Sequence, residues 1–230
     1  MKNILFALFA LVTVSNFAQQ DKSISMWYQS PMMYNAGSVA TGAEDFGFFT
    51  NFRMQWLPLT KMRTNVLNAN FKIPDGFMGS NNFGLGLNVM QDVTAGGADN
   101  LSYTTNMISI PINYTMALDN RNKLSLGVSP GFIQQSYTPN HTWEDQWQGT
   151  GFSGTSSETG LNSSFSTIDI STGVFYQHSM RNRTLLYGGV ALNHLNRPKL
   201  NFSFGSDRLY MQTVVHAGAN IVTRKRDLRV

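Results

Sequence analysis

The decapeptide Met107-Ile108-Ser109-Ile110-Pro111-Ile112-Asn113-Tyr114-Thr115-Met116 alternates apolar and polar side chains. Ile108, Ile110, Ile112, Tyr114 and Met116 fall on one face, and Ser109, Pro111, Asn113 and Thr115 on the other. A period of two sustained this long predicts a strand with one apolar and one polar face. Strands of globular proteins usually run about five or six residues. A strand that crosses an outer membrane needs about nine to eleven.

The same alternation recurs along the chain. Phe46, Phe48, Phe52, Met54 and Trp56 oppose Asn51, Arg53 and Gln55. Leu67, Ala69 and Phe71 oppose Asn68 and Asn70; Leu85, Leu87 and Val89 oppose Gly84, Gly86 and Asn88. Leu124, Leu126, Val128 and Phe132 oppose Ser125, Gly127, Ser129 and Gly131. Ile168, Ile170, Val174 and Tyr176 oppose Thr167, Asp169, Ser171 and Gly173. Val215, Ala217, Ala219 and Ile221 oppose His216, Gly218 and Asn220. Less regular segments lie at Leu185–Leu195 and Leu200–Phe204. About eight to ten such segments predict an all-β fold, an antiparallel transmembrane β-barrel. Small and polar residues on the repeated inner face leave a barrel room to close or to hold water. A secreted, soluble β-sandwich would alternate too, with shorter strands and more charge on its wet face.

Composition points the same way. Charged residues are 13% of the chain and aromatic residues 12%. The first value is about half the usual share of a soluble protein, and the second suits interfacial girdles. Mean hydropathy is −0.19, as expected when only alternate strand residues meet lipid. Lys2 followed by the apolar run Ile4–Val14 and Ala18 predicts a signal peptide over residues 1–18. Residues 19–230 then form one barrel domain. The chain has no cysteine, which excludes disulfides, thiolate metal sites and lipid attachment at cysteine. The net charge of +4 comes from scattered basic residues; only Arg224, Lys225 and Arg226 cluster. That pattern fits a polar turn beside lipid headgroups and no nucleic-acid partner.

Connections come in two kinds. Asp119–Lys123 and Met180–Arg183 are short and turn-like. Residues 138–164 form a long stretch rich in Gly, Ser and Thr, and outer-membrane barrels place such loops outward. Gln91–Asn100 is expected to face the same way.

Candidate chemistry is sparse. His141, His178, His194 and His216 show no metal-ligand spacing. Glu44–Asp45 and Glu144–Asp145 are adjacent pairs, which point to opposite faces of a strand. No nucleophile motif and no phosphate-cradling glycine loop occurs. The expectation is a non-enzymatic chain with no catalytic residue, cofactor or metal.

The N-terminal third carries a family resemblance. Asp21, Ser25, Tyr28, Pro31, Asn35 and Ala36 occur in order, with Gly37 or Gly42 close behind, and Arg53, Gln55 and Trp56 follow. This pattern resembles the PorP/SprF family of outer-membrane proteins of the type IX secretion system. That family has an Asn-Pro-Ala stretch and an Arg-x-Gln-Trp element; here Ala36 follows Asn35 directly, without the proline. Later stretches are similar as well, including Gly84–Leu87, Gly173–Tyr176 and Gly188–Pro198. Family members usually run several strands longer, so the expected barrel is shortened or truncated relative to them. The resemblance implies outer-membrane localisation in a Gram-negative bacterium and partners among type IX secretion components. It also implies a secreted adhesin whose export or surface attachment the chain supports, with links to gliding. Asp21, Tyr28, Pro31, Asn35, Arg53, Gln55 and Trp56 are the candidate motif residues. Arg53 and Gln55 should point into the barrel, with Glu44, Asp45, Asp92 or Asp169 as ionic partners of Arg53. A small-solute channel without a secretion partner is the other barrel reading.

Overall fold

Alternation along the chain becomes a hydrogen-bonded ladder between its strands. The computed structural model describes Ile24 and residues 26–42, 44–56, 60–73, 82–96, 101–137, 144–154, 164–180, 184–200 and 208–221. The strands are β1 (Phe46–Gln55), β2 (Thr60–Ile73), β3 (Asn82–Gly96), β4 (Leu101–Ser109), β5 (Ile112–Ala117), β6 (Asn122–Tyr137), β7 (Ser164–Ser179), β8 (Leu185–Asn193) and β9 (Gln212–Asn220). All pairings are antiparallel, and the strands form one sheet in the order β1-β2-β3-β4-β6-β7-β8-β9. β5 continues the line of β4, pairing with β3 and β6. Among the described residues β1 and β9 are not paired with each other. No described helix is long and apolar enough to cross a membrane.

The strand expected over Met107–Met116 is therefore two strands, interrupted at Ile110–Pro111. Proline has no N–H to give the ladder. The ladder survives on both sides, because Ile110 N–H donates to Pro130 O at 2.9 Å and Gly86 N–H to Pro111 O at 2.7 Å. The face assignment holds: Ile108, Ile110 and Ile112 are exposed, and Pro111, Asn113 and Thr115 are buried. Gln91–Asn100 is corrected as well. Gln91–Gly96 belongs to β3 and pairs with β4 as far as Leu101. The antiparallel order still puts the β3–β4 and β6–β7 connections at one end, hereafter the long-loop end. The β5–β6 and β7–β8 turns lie at the other. Leu200 lies outside any named strand, and 201–204 fall outside the described residues.

The faces are inverted relative to a soluble protein. Leu126, Val128, Phe132, Ile168, Ile170, Val174 and Tyr176 are exposed, whereas Ser125, Ser129, Asp169 and Gln177 are buried. Val128 is 52% exposed and its near neighbour Ser125 0%. Contiguous exposed apolar surface of this extent marks a surface that meets lipid or a partner, and a soluble sandwich would bury it. On β6 the outward apolar run is Leu124 to Phe132, bounded by Asn122 and Gln134. On β7 it is Ile168 to Tyr176, bounded by Ser166 and His178. Each run covers nine residues (124 to 132, 168 to 176) of a 16-residue strand. That is the length a tilted strand needs to cross hydrocarbon.

β8 ends earlier than its neighbour β7. The chain leaves it through His194 (φ 58°) and Arg197 (φ 43°), two left-handed residues without glycine. Asn196 then takes the place of a strand peptide. Its Nδ2 donates to Ile168 O at 2.6 Å, and its Oδ1 accepts from Ile170 N–H at 3.1 Å. Leu195 N–H adds a bond to Ile170 O at 2.9 Å. The exposed edge of β7 is thereby capped.

Candidate functional site

The inner face of the sheet encloses the chain's own N-terminal segment. Residues 26–42 run as three short 3-10 turns, Trp27–Gln29, Pro31–Met33 and Ala36–Ser38. One described apolar cluster joins the start of this segment to the wall and the other lies within the segment. Ile24 packs with Val66 and Met90, and Met32 with Val39 and Ala40.

The tightest contact is a level of the wall where large side chains are missing. The ladder places Gly84 beside Asn113, Asn113 beside Gly127, and Gly127 beside Gly173. The turn Asn35-Ala36-Gly37 sits against this row. A Cβ on Gly127 would fall 2.5 Å from Gly37 N and would also collide with the Ala36 carbonyl. A Cβ on Gly173 would overlap the Asn35 side chain, with Cγ at 2.8 Å. Backbone and side-chain amide approach the wall here at a distance only glycine allows.

Asn35 is completely buried. Its Oδ1 caps the turn by accepting from Gly37 N–H at 2.9 Å. Its Nδ2 donates to Val174 O on β7 at 3.0 Å and lies 2.9 Å from His216 Nε2 on β9. If Nε2 accepts, the neutral imidazole carries its proton on Nδ1. The His216 ring stacks on Phe175 at 5.6 Å and meets Trp27 edge-on at 6.0 Å.

Four inward amides hold the segment from four strands. Asn113 Nδ2 on β5 donates to Gly37 O at 2.9 Å and Val39 O at 2.6 Å. Asn88 on β3 donates to Met32 O, Gln177 on β7 to Thr41 O, and Asn193 on β8 to Tyr34 O. Each acceptor is a main-chain carbonyl, so these bonds satisfy buried backbone that has no ladder of its own. The segment is thus held against the inner face of the sheet by hydrogen bonds to its main chain.

A second cluster sits deeper toward the long-loop end. Buried Asp169 Oδ1 accepts from His194 Nδ1 at 2.9 Å. Ser171 Oγ lies 3.5 Å from Asp169 Oδ2 and accepts from His194 N–H at 3.4 Å. The hydroxyl engages the carboxylate and not the imidazole, so the three residues do not form a nucleophile relay. Among the described residues no group of three His, Asp or Glu side chains is placed to hold a metal ion.

A long-stranded sheet with an apolar outer face and a polar inner face is the architecture of a membrane protein built from strands. The family model described as type IX secretion system membrane protein PorP/SprF matches residues 16–229. The chain belongs to this family. No curated protein and no solved structure matches it.

For a PorP/SprF protein the motif residues now have positions. Asn35 is the centre of the seat. Pro31 opens the second 3-10 turn, and Tyr28 is exposed in the first. Asp21 lies outside the described residues. Arg53 and Gln55 lie on the inward face of β1, where Arg53 donates to Gln55 Oε1. Trp56 sits just past β1 at φ 59° and is exposed. The motif does not converge on one point: Arg53, Gln55 and Trp56 lie at the long-loop end, away from the Asn35 seat. Among the acidic residues expected beside Arg53, Asp92 lies on the same inward level, one strand beyond Thr64. Asp169 is engaged by His194, and Asp92 accepts from Thr64 Oγ1 at 2.6 Å. Glu44 and Asp45 precede β1 at its opposite end. Asn113, Gly127, Gly173, Gln177 and His216 complete the seat without belonging to the motif. Their alternating inward positions were visible in the sequence, but their common level depends on strand register.

Proposed function

We propose that this type IX secretion component sits in the outer membrane and supports export or surface attachment of a secreted adhesin, without catalysing a reaction. The N-terminal segment held on the inner face of an apolar-faced sheet supports this reading. Residues 26–42 take up part of the inner face, so the working surfaces in this reading are the lipid-facing wall and the connections at the long-loop end. That end would face outward, following the rule that long loops of outer-membrane barrels are extracellular. Its segment 144–154 holds an exposed Trp147–Phe152 pair, with ring centroids 5.1 Å apart. In this reading residues 1–18 are a cleaved signal peptide, residues 19–230 are one domain, and lipid and type IX components are the other partners. Closure of the sheet into a barrel follows from the same setting, because lipid-exposed strand edges are not tolerated in hydrocarbon. Gliding would be affected where the adhesin drives it.

Deletion of the chain, followed by surface labelling of a co-encoded adhesin, tests the role. Adhesin display should fall, and unchanged display would sink the proposal. The segment bound on the inner face disfavours a small-solute channel, and the purified protein should give no steady conductance in a planar bilayer.

A further inference from the structure

The lipid-facing wall extends much farther beyond its apolar band at the long-loop end than at the short-turn end. Leu67, Val89, Ile108, Phe132 and Ile168 form the last continuous apolar row across β2, β3, β4, β6 and β7, while on β1 exposed Phe52 and Met54 continue beside Asn65 and Arg63. The next outward row is Asn65, Gln91, Asn106, Gln134 and Ser166. Its amides are linked on the outer surface: Asn65 Nδ2 donates to Gln91 Oε1 at 3.3 Å, and Gln91 Nε2 to Asn106 Oδ1 at 3.2 Å. Beyond this row β2 carries Arg63 and Lys61 outward, both exposed, β3 carries Val93 and Ala95, and β4, β6 and β7 carry Thr104, Ser136 and Ser164. No described outward residue of these rows is acidic. Some six residues of strand past the apolar band, tilted as barrel strands are, reach roughly 15 Å above the hydrocarbon. At the opposite end the wall passes almost directly into the turn Leu118–Arg121.

We infer that this amide, hydroxyl and cation collar binds the phosphorylated headgroup of a glycolipid in the leaflet at the long-loop end. A thin phospholipid headgroup would leave most of the collar in water. A phosphorylated sugar headgroup matches its height, its many hydrogen-bonding groups and its positive charge. Arg63 and Lys61 sit on the lipid side just above the hydrocarbon, where a phosphate attached to the first sugars lies. Arg63 supplies a forked donor and Lys61 a point charge. The inference rests on the outer-membrane reading above and adds both an orientation and a lipid class.

The test uses the full chain reconstituted into nanodiscs containing rough-type lipopolysaccharide, phosphatidylglycerol or phosphatidylcholine. Bound lipid is read as sugar and phosphate retained after detergent washing. Wild type should retain lipopolysaccharide over both phospholipids. The double variant K61Q/R63Q should retain roughly 30-fold less, at about a fivefold factor per interfacial cation. It should keep wild-type heat-modifiability on gels. Lys72→Gln, an inward position near the other end, should retain as much as wild type. Equal retention of lipopolysaccharide and phosphatidylglycerol, or full retention by the double variant, would overturn the inference while leaving membrane insertion intact. Failure of wild type to enter any bilayer would remove the outer-membrane reading and the inference together.

Discussion

The two faces of the same strands obey different rules. On the outer face of β6, Leu126, Val128 and Phe132 need only be apolar, because lipid conforms to whatever shape they present. On the inner face, Ser125 must meet Thr115 across the sheet and Gly127 must match one particular segment of chain atom by atom. Gly127 sits between two outward residues that tolerate change, yet its single missing Cβ makes room for the Ala36 and Gly37 backbone. Shape specificity in this protein lies inside and hydrophobicity outside, the reverse of a water-soluble fold.

The sharpest way to break this contrast is to exchange demands between adjacent residues. Gly127→Val should abolish the heat-modifiable folded form, since a branched side chain would overlap main-chain atoms that cannot yield. Val128→Leu, one residue along, should fold as wild type; equal loss in both would refute the contrast. Polarity tests the outer face. Val128→Arg lies near the middle of the apolar run and should cost about 2–4 kcal/mol in urea unfolding from lipid vesicles.

Asn35→Ala probes the seat without adding bulk. It removes the bonds to Gly37 N–H and Val174 O, leaving buried backbone groups unsatisfied, at about 1–3 kcal/mol. Protease nicking before residue 42 and new conductance in a planar bilayer should accompany the loss. A variant as tight and silent as wild type would show that the glycine row alone holds the segment.

The smallest effect belongs to the turn outside both faces. The Asp119 carboxyl is held below its ordinary value by the Asn122 side chain and the Arg121 backbone N–H. A depressed carboxyl contributes stability above its unfolded value and loses it as pH falls through the folded one. Wild type should therefore lose slightly more stability than Asp119→Asn on acidification below about pH 4. Parallel pH profiles of the two would argue against a role for this turn.

Much of the outer face was legible in the sequence, because period-two alternation needs no knowledge of neighbours. The break at Pro111 and the length of β3 were not. Proline removes one donor without changing the side-chain phase, and Gln91 to Gly96 turn polar on the outside while still paired. Asn35 stood out through the family pattern, but its task did not. Its partners are a carbonyl on β7 and a ring on β9, and the amides that hold the segment grip main-chain oxygens, which leave no mark on side-chain chemistry. For Arg53, charge suggested four acidic neighbours and register separates them: Asp92 shares its inward level, Asp45 lies at the far end of the strand, and Asp169 is held by His194.

The placement of Asn35 also fixes an order of events during assembly. Its partners Val174 and His216 lie 139 and 181 residues farther along the chain. This N-terminal turn is therefore among the last to be satisfied. Until β7 and β9 are in place the seat is incomplete, and a partly inserted sheet carries a loose, amide-rich strand of its own N-terminus. Seating of that turn works as a completion signal: the interior becomes tight only when the ninth strand has arrived.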